Sequence, residues 1–102
     1  MLESDIQHSI MIKLSEYGCV VHRRNVGLFY TKDFRRVKIG TAGEADLQGH
    51  RPDGKCFYIE TKQLKGKKRK EQETFVEAMQ QSGALAGFAR SVEDALRIVE
   101  LI

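Results

Sequence analysis

Three side chains near the middle of this chain have the types and spacing for phosphate chemistry: Asp46, Glu60 and Lys62. Asp46 closes the stretch GEAD (43–46), while Glu60 and Lys62 end the apolar run FYIETK (57–62). Phe57, Tyr58 and Ile59 suit a pleated, half-buried surface, whereas an acid and a lysine are seldom buried without partners. Between the two stretches lies RPDGK (51–55), whose Pro-Asp-Gly predicts a turn joining ADLQGH (45–50) and CFYIETK (56–62) as an antiparallel hairpin. With the turn centred on Asp53, His50 meets Cys56, Gln48 meets Tyr58 and Asp46 meets Glu60.

Strand side chains alternate, so Lys62 shares a face with Glu60, and Ala45, Leu47, Phe57 and Ile59 take the opposite, apolar face. Opposed residues on one face have Cβ atoms ~4.5 to 5.5 Å apart. At an effective dielectric near 20, two carboxylates at ~5 Å repel by roughly 3 kcal/mol. A cation between them relieves that repulsion, and Mg²⁺ fits because it binds through one or two carboxylates, waters and substrate phosphates. Such an ion makes hydroxide from bound water and stabilises charge growing on a phosphate under in-line attack. Lys62, roughly 7 Å along the strand from Glu60, can orient that water or neutralise the same phosphate. The alternative is a surface hairpin whose acids pair with Lys62 or a nearby arginine.

These groups need elements to position them. Leu2, Ile6, Ile10, Leu14 and Tyr17 recur at helical steps and predict a first helix ending at Gly18, with Glu3 and Gln7 beside the stripe, one turn apart. CVVHRRNV (19–26) reads as a strand, followed by a short LFYT element (28–31), a basic turn at Lys32–Arg36, the strand VKI (37–39) and a GTAG loop (40–43). That loop is followed by no GK[ST] and is not a phosphate-binding loop. From Lys70 a helical period returns with Gln72, Phe75, Val76 and Met79 on one face, stopping near Gly83. LAGFA (85–89) is a short strand, and Ser91 with Asp94 makes a capping-box-like start for a last helix bearing Val92, Ala95, Leu96 and Val99. The order α-β-β-β-β-β-α-β-α predicts an α/β fold with a mixed sheet flanked by helices, one domain over residues 1–102.

The composition, 41% hydrophobic and 30% charged with one proline, excludes collagen-like and wholly disordered classes. The net charge of +3 is unevenly spread. One basic cluster comprises Lys62, Lys65, Lys67, Lys68, Arg69 and Lys70; another comprises His22, Arg23, Arg24, Arg35, Arg36 and Lys38. Both suit a polyanion, and the first is equally readable as a solvated loop. The start MLESDIQHSI lacks a secretory pattern and no stretch reaches the ~18 apolar residues of a membrane span, so a cytosolic protein without membrane contact is expected. Cys19 and Cys56 have no second ligand at metal spacing and are expected to be small core hydrophobes. His8, His22 and His50 are scattered across elements, which argues against histidine-based nuclease chemistry.

An acid on the first helix (Glu3), GEAD (43–46), IETK (59–62), a basic GKKRKEQ (66–72) leading to a helical glutamine, and ARS (89–91) before the last helix span nearly the whole chain. In these the chain resembles the VRR-NUC branch of the PD-(D/E)xK nuclease superfamily. The resemblance implies a restriction-endonuclease-like core in which Asp46 and Glu60 bind Mg²⁺ or Mn²⁺ together with the carbonyl of Thr61, and Lys62 assists the nucleophilic water. It further implies that Glu3 completes the acidic shell and Gln72 faces the site. Ala45 stands where the motif has proline, and the literal Pro52-Asp53 belongs to the turn. Local readings compete: Glu3 as a solvent-facing acid at a helix start, Gln7 closing a capping box with Ser4, Gln72 at the edge of a core stripe, and Tyr58 shielding the hairpin or stacking on a base.

The expected activity is endonucleolytic hydrolysis of DNA, on branched forms such as Holliday junctions, by a symmetric homodimer that reads DNA shape. Arg23, Arg24, Arg35, Arg36, Lys65, Lys67, Lys68, Arg69 and Lys70 would form its phosphate track. The alternatives are a basic DNA-binding module that does not cut, and a nuclease acting on single-stranded, flap or nicked DNA.

Overall fold

Ile6, Ile10 and Leu14 recur every four residues and form the buried stripe of α1 (Glu3–Glu16). The helix ends at Gly18, whose φ of +85° supplies the left-handed residue that stops it. Leu2 and Tyr17, expected on the same stripe, are exposed: they are the N-cap and C-cap residues, just outside the helix at either end. The computed structural model describes residues 2–23 and 45–102, together with the backbone of 27–30 and 36–39.

The strands are β1 (Val20–Arg23), β2 (Gly27–Tyr30), β3 (Arg36–Ile39), β4 (Leu47–His50), β5 (Cys56–Thr61) and β6 (Leu85–Ala89). Two more helices, α2 (Lys70–Gln81) and α3 (Val92–Ile98), complete the order α-β-β-β-β-β-α-β-α expected from the sequence. The turn expected over Lys32–Arg36 and the GTAG loop fall almost wholly outside the described residues.

The main sheet has the order β1-β4-β5-β6, with β1–β4 and β4–β5 antiparallel and β5–β6 parallel, while β2 and β3 pair as a separate antiparallel ribbon. Along β4 and β5, Leu47 faces Ile59, Gln48 faces Tyr58, Gly49 faces Phe57 and His50 faces Cys56. This is the register that a turn centred on Asp53 requires. The Arg51 amide donates to the Lys55 carbonyl and the Gly54 amide to the Arg51 carbonyl, both at 2.9 Å. Asp53 holds the turn from within, accepting from the Lys55 amide and pairing with the Arg51 guanidinium, which draws its carboxyl down to about 2. Arg51 also donates to the Val99 carbonyl at 3.1 Å, tying the turn to the end of α3. On the other side of β4, a Cβ at Gly49 would lie 1.8 Å from the Val20 carbonyl oxygen, so only glycine lets β1 approach this closely.

Leu47, Phe57 and Ile59 point into a core shared with Ile6, Ile10 and Leu14 of α1 and Ala95, Leu96 and Val99 at the end of the chain. Burying a side chain such as Phe57 or Ile59 fully is worth ~1.5 to 3 kcal/mol, which makes β5 the most firmly seated strand. The opposite face of β5 is covered by α2, where Phe75 meets Tyr58 edge to face at 5.6 Å and Val76 is buried. Tyr58 therefore packs against a helix. Cys19 lies in the core as expected, but Cys56 is exposed. It sits at the first residue of β5, on the turn side of the hairpin, where neither helix layer reaches it. No helix among the described residues is long and apolar enough to cross a membrane.

Candidate metal centre

The two helix layers meet the sheet at the end of β5, and the acids converge there. Glu3 comes from the first turn of α1, Asp46 from the entry to β4 and Glu60 from β5; one carboxylate oxygen of each lies within 4.8 Å of the others. Glu3 and Asp46 are half-buried, and Glu60 is 2% exposed.

Glu60 is held by Gln72, whose Nε2 donates to Glu60 Oε1 at 2.9 Å while its Oε1 accepts from the Arg69 amide at 3.0 Å. One amide thus caps the start of α2 and orients an acid on β5. The other oxygen, Glu60 Oε2, is buried and has no hydrogen-bond partner among the described residues. Burial, and then the neighbouring Asp46 carboxylate, push the Glu60 pKa up to about 9, with Lys62 acting in the opposite direction. A buried acceptor left unpaired costs ~1 to 3 kcal/mol. Three carboxylates gathered in this way, one of them with a buried unpaired oxygen, match the all-oxygen donor set of a hard divalent cation, so these residues fit Mg²⁺ or Mn²⁺.

Asp46 is fixed by Thr61, whose amide and hydroxyl donate to the same Oδ2 at 2.9 and 2.8 Å. Gln7 on α1 donates to the Thr61 hydroxyl oxygen at 2.8 Å. A hydroxyl carries a single proton, and with Gln7 donating into it that proton is directed at Asp46. Two donors on one oxygen set the plane of the whole carboxylate. The family resemblance implies a role for Thr61 through its carbonyl; the contacts seen are those of its amide and side chain.

Lys62 is 6% exposed and follows β5 directly, its amide still donating to the Ala89 carbonyl at 3.0 Å. Its charge acts on Glu60, as the opposing influence on that carboxyl shows. Beyond it, Lys65, Lys67, Lys68 and Arg69 on the link to α2 and Lys70 at the helix's first position are all exposed, and Lys68 lies 4.6 Å above the Phe88 ring. Arg23 is exposed at the end of β1, and Arg36 lies on β3. Arg24 and Arg35 are outside the described residues.

The residue missed from sequence is Gln7. Ser4 cannot take the capping-box role, because α1 begins at Glu3 with Leu2 in the cap position, and Asp5 accepts from the Leu2 amide instead. The available signal was spacing: Gln7 stands one turn after Glu3, on the same side of the helix. Removing groups that orient metal ligands typically weakens metal affinity ~10- to 100-fold. Gln7→Ala and Thr61→Val are expected to do so for Mn²⁺ measured by calorimetry; unchanged affinity would make these hydrogen bonds incidental.

No protein-family model matches this chain, and no curated protein matches it. Among solved structures, a VRR_NUC domain superposes with a TM-score of 0.70 over 96% of this chain and 94% of that one, at 19% sequence identity. The α/β fold, a mixed sheet flanked by helices with a restriction-endonuclease-like core, is that of a VRR_NUC domain.

Proposed function

We propose that this VRR_NUC-fold chain is a divalent-metal-dependent endodeoxyribonuclease, acting as one domain on branched DNA such as Holliday junctions. The observation that carries the reading is the triad of carboxylates with one oxygen of each within 4.8 Å of the others, one of which, Glu60, also has a buried, unpartnered oxygen. Beside it lie the nearly buried Lys62 and an exposed basic link.

Asp46 and Glu60 would hold the cation, with the Thr61 carbonyl and Glu3 completing the oxygen shell. When bound, Mg²⁺ or Mn²⁺ supplies an activated water and stabilises phosphate charge. Gln72 keeps Glu60 aimed, Thr61 and Gln7 keep Asp46 aimed, and Lys62 donates to the attacking water or to a phosphate oxygen. A water oxygen bonds to phosphorus as the bridging P–O bond breaks, leaving two DNA ends. Lys65, Lys67, Lys68, Arg69 and Lys70 bind flanking phosphates, joined by Arg23, Arg24, Arg35 and Arg36 from the other basic cluster. A two-fold homodimer in the cytosol would bring two such sites to the two cut strands of a junction.

The test is a cleavage panel of four-way junction, flap, nicked, single-stranded and duplex DNA with Mg²⁺, Mn²⁺ or EDTA. Cutting that requires metal and favours branched substrates is expected. Tight binding with no cutting in any metal would make the protein a DNA-binding module instead. Lys67→Ala with Lys68→Ala should weaken binding to every substrate alike and lower the slope of log affinity against log salt by about 2, as loss of two phosphate contacts requires.

A further inference from the structure

The link from β5 to α2 begins with a tight turn over residues 63–66, closed by the Gly66 amide on the Gln63 carbonyl at 2.9 Å. A Cβ at Gly66 would crowd the Gln63 backbone, at 3.2 Å from its oxygen and 3.3 Å from its nitrogen. Arg90, the residue after β6, clamps the turn from outside: its Nη1 donates to the carbonyls of Gln63 at 2.5 Å and Leu64 at 3.2 Å. Lys68, further along, is seated over Phe88 of β6. The link is therefore fastened to the β6 side at two points.

On this fastened turn stands Leu64, 80% exposed, the most exposed large apolar side chain among the described residues. A lone exposed leucine needs no explanation by itself. Here, however, Arg90 holds the carbonyl of Leu64 and that of the preceding Gln63, so the backbone that carries the side chain is fixed. It is also the single apolar residue between the buried Lys62 and the exposed cations Lys65, Lys67, Lys68, Arg69 and Lys70.

We propose that Leu64 is a wedge that packs against a nucleobase beside the phosphate held at Lys62, so that the site selects DNA whose bases are unstacked there, as at a branch point. This rests on the reading of the chain as a DNA nuclease. From Lys62 to Leu64 the chain spans at most ~7 Å, about two base steps at ~3.4 Å each. The flanking cations hold the backbone, while an apolar side chain gains nothing from a phosphate and gains by leaving water against the face of a base. Apolar wedges act by separating stacked bases, and the contact tolerates any base because each has a flat face. In continuous duplex the base must be parted from stacked neighbours on both sides; at a branch part of that cost is already met, so parting it from its remaining neighbour is easier and the contact becomes selective.

The experiment places 2-aminopurine next to the crossover of a four-way junction and, separately, in continuous duplex, with binding measured in EDTA. Wild-type protein should raise the junction probe's fluorescence, Leu64→Ala should lose the rise, and Leu64→Phe should keep it. Leu64→Ala should also lower the ratio of junction to duplex affinity by about tenfold. No fluorescence rise with wild type, or an equal loss of affinity for both DNAs in Leu64→Ala, would overturn the wedge. Cleavage by the wild-type protein in Mg²⁺ is scored separately; because the wedge is read without cutting, either reading can fail alone.

Discussion

Asp46→Asn is expected to reduce Mg²⁺-dependent DNA cleavage by ~10³-fold or more while leaving junction affinity within about threefold of wild type. The substitution keeps size and shape but offers one oxygen where there were two. If that oxygen continues to accept from the Thr61 amide and hydroxyl, the new NH₂ turns toward Glu3 and Glu60 and occupies the cluster with a donor. If the amide flips, NH₂ faces two donors and the anchoring is lost. Either way a cation finds a poorer site.

Folding should not suffer, because one of three crowded acids has been neutralised, and binding to DNA should not weaken, because a negative charge has been removed beside a phosphate. Lys62→Ala should also cost ~10²-fold or more in cleavage. It would act twice, removing a donor and also the charge that favours ionised Glu60. Cleavage assays paired with fluorescence anisotropy in EDTA check both. Equal loss of cutting and binding would assign this face of the hairpin a structural role.

The second large effect concerns stability without metal. In the folded protein the Glu60 carboxyl titrates at about 9, well above its ordinary value of 4.5, with burial as the main cause and Asp46 next. Between those values the folded state holds a proton that the unfolded state has released. The stability that this one group contributes is therefore full below about pH 4.5 and falls as pH rises toward 9, at up to ~1.4 kcal/mol per pH unit.

Metal-free protein should accordingly melt at progressively lower temperature from pH 5 to pH 8.5. Mn²⁺ should restore more stability at the alkaline end, since it competes with that proton for the same carboxylate. Glu60→Gln should remove most of the slope and melt higher than wild type at pH 8 in EDTA, by ~10 °C or more, while failing to cleave. Its Oε1 can keep the Gln72 bond, and its NH₂ can donate to Asp46 where an acid had faced an acid. A flat profile, or a variant less stable than wild type at pH 8, would mean that Glu60 is ionised and paired in the metal-free protein.

Local signals made much of this legible in the sequence. Pro52-Asp53-Gly54 set the turn, the turn set the register, and the register brought Asp46 and Glu60 to the same end of the hairpin. The stripe Ile6, Ile10, Leu14 and the pair Ser91 and Asp94 are equally local, and both elements formed where expected. What stayed hidden depends on which element packs on which. The face of β5 bearing Tyr58 and Glu60 reads from the sequence as the one that carries the chemistry, but only the docking of α2 shows why an acid there loses its water. Gln7 bonds Thr61, 54 residues away, a contact that no local pattern encodes. Cys56 obeyed the alternation of its strand, but it sits at the end that neither helix layer covers.

The single amide of Gln72 has a further consequence. Its oxygen takes the Arg69 N–H and its nitrogen holds Glu60. Any event that repels or attracts electron density at Glu60 is relayed through one rigid, planar group to a main-chain proton at the start of α2. The Arg69 amide is thus a built-in spectroscopic reporter: in a ¹⁵N-labelled sample its resonance tracks the charge of a carboxylate that solvent cannot reach. The chemistry at the buried centre can be followed there without touching any residue that performs it.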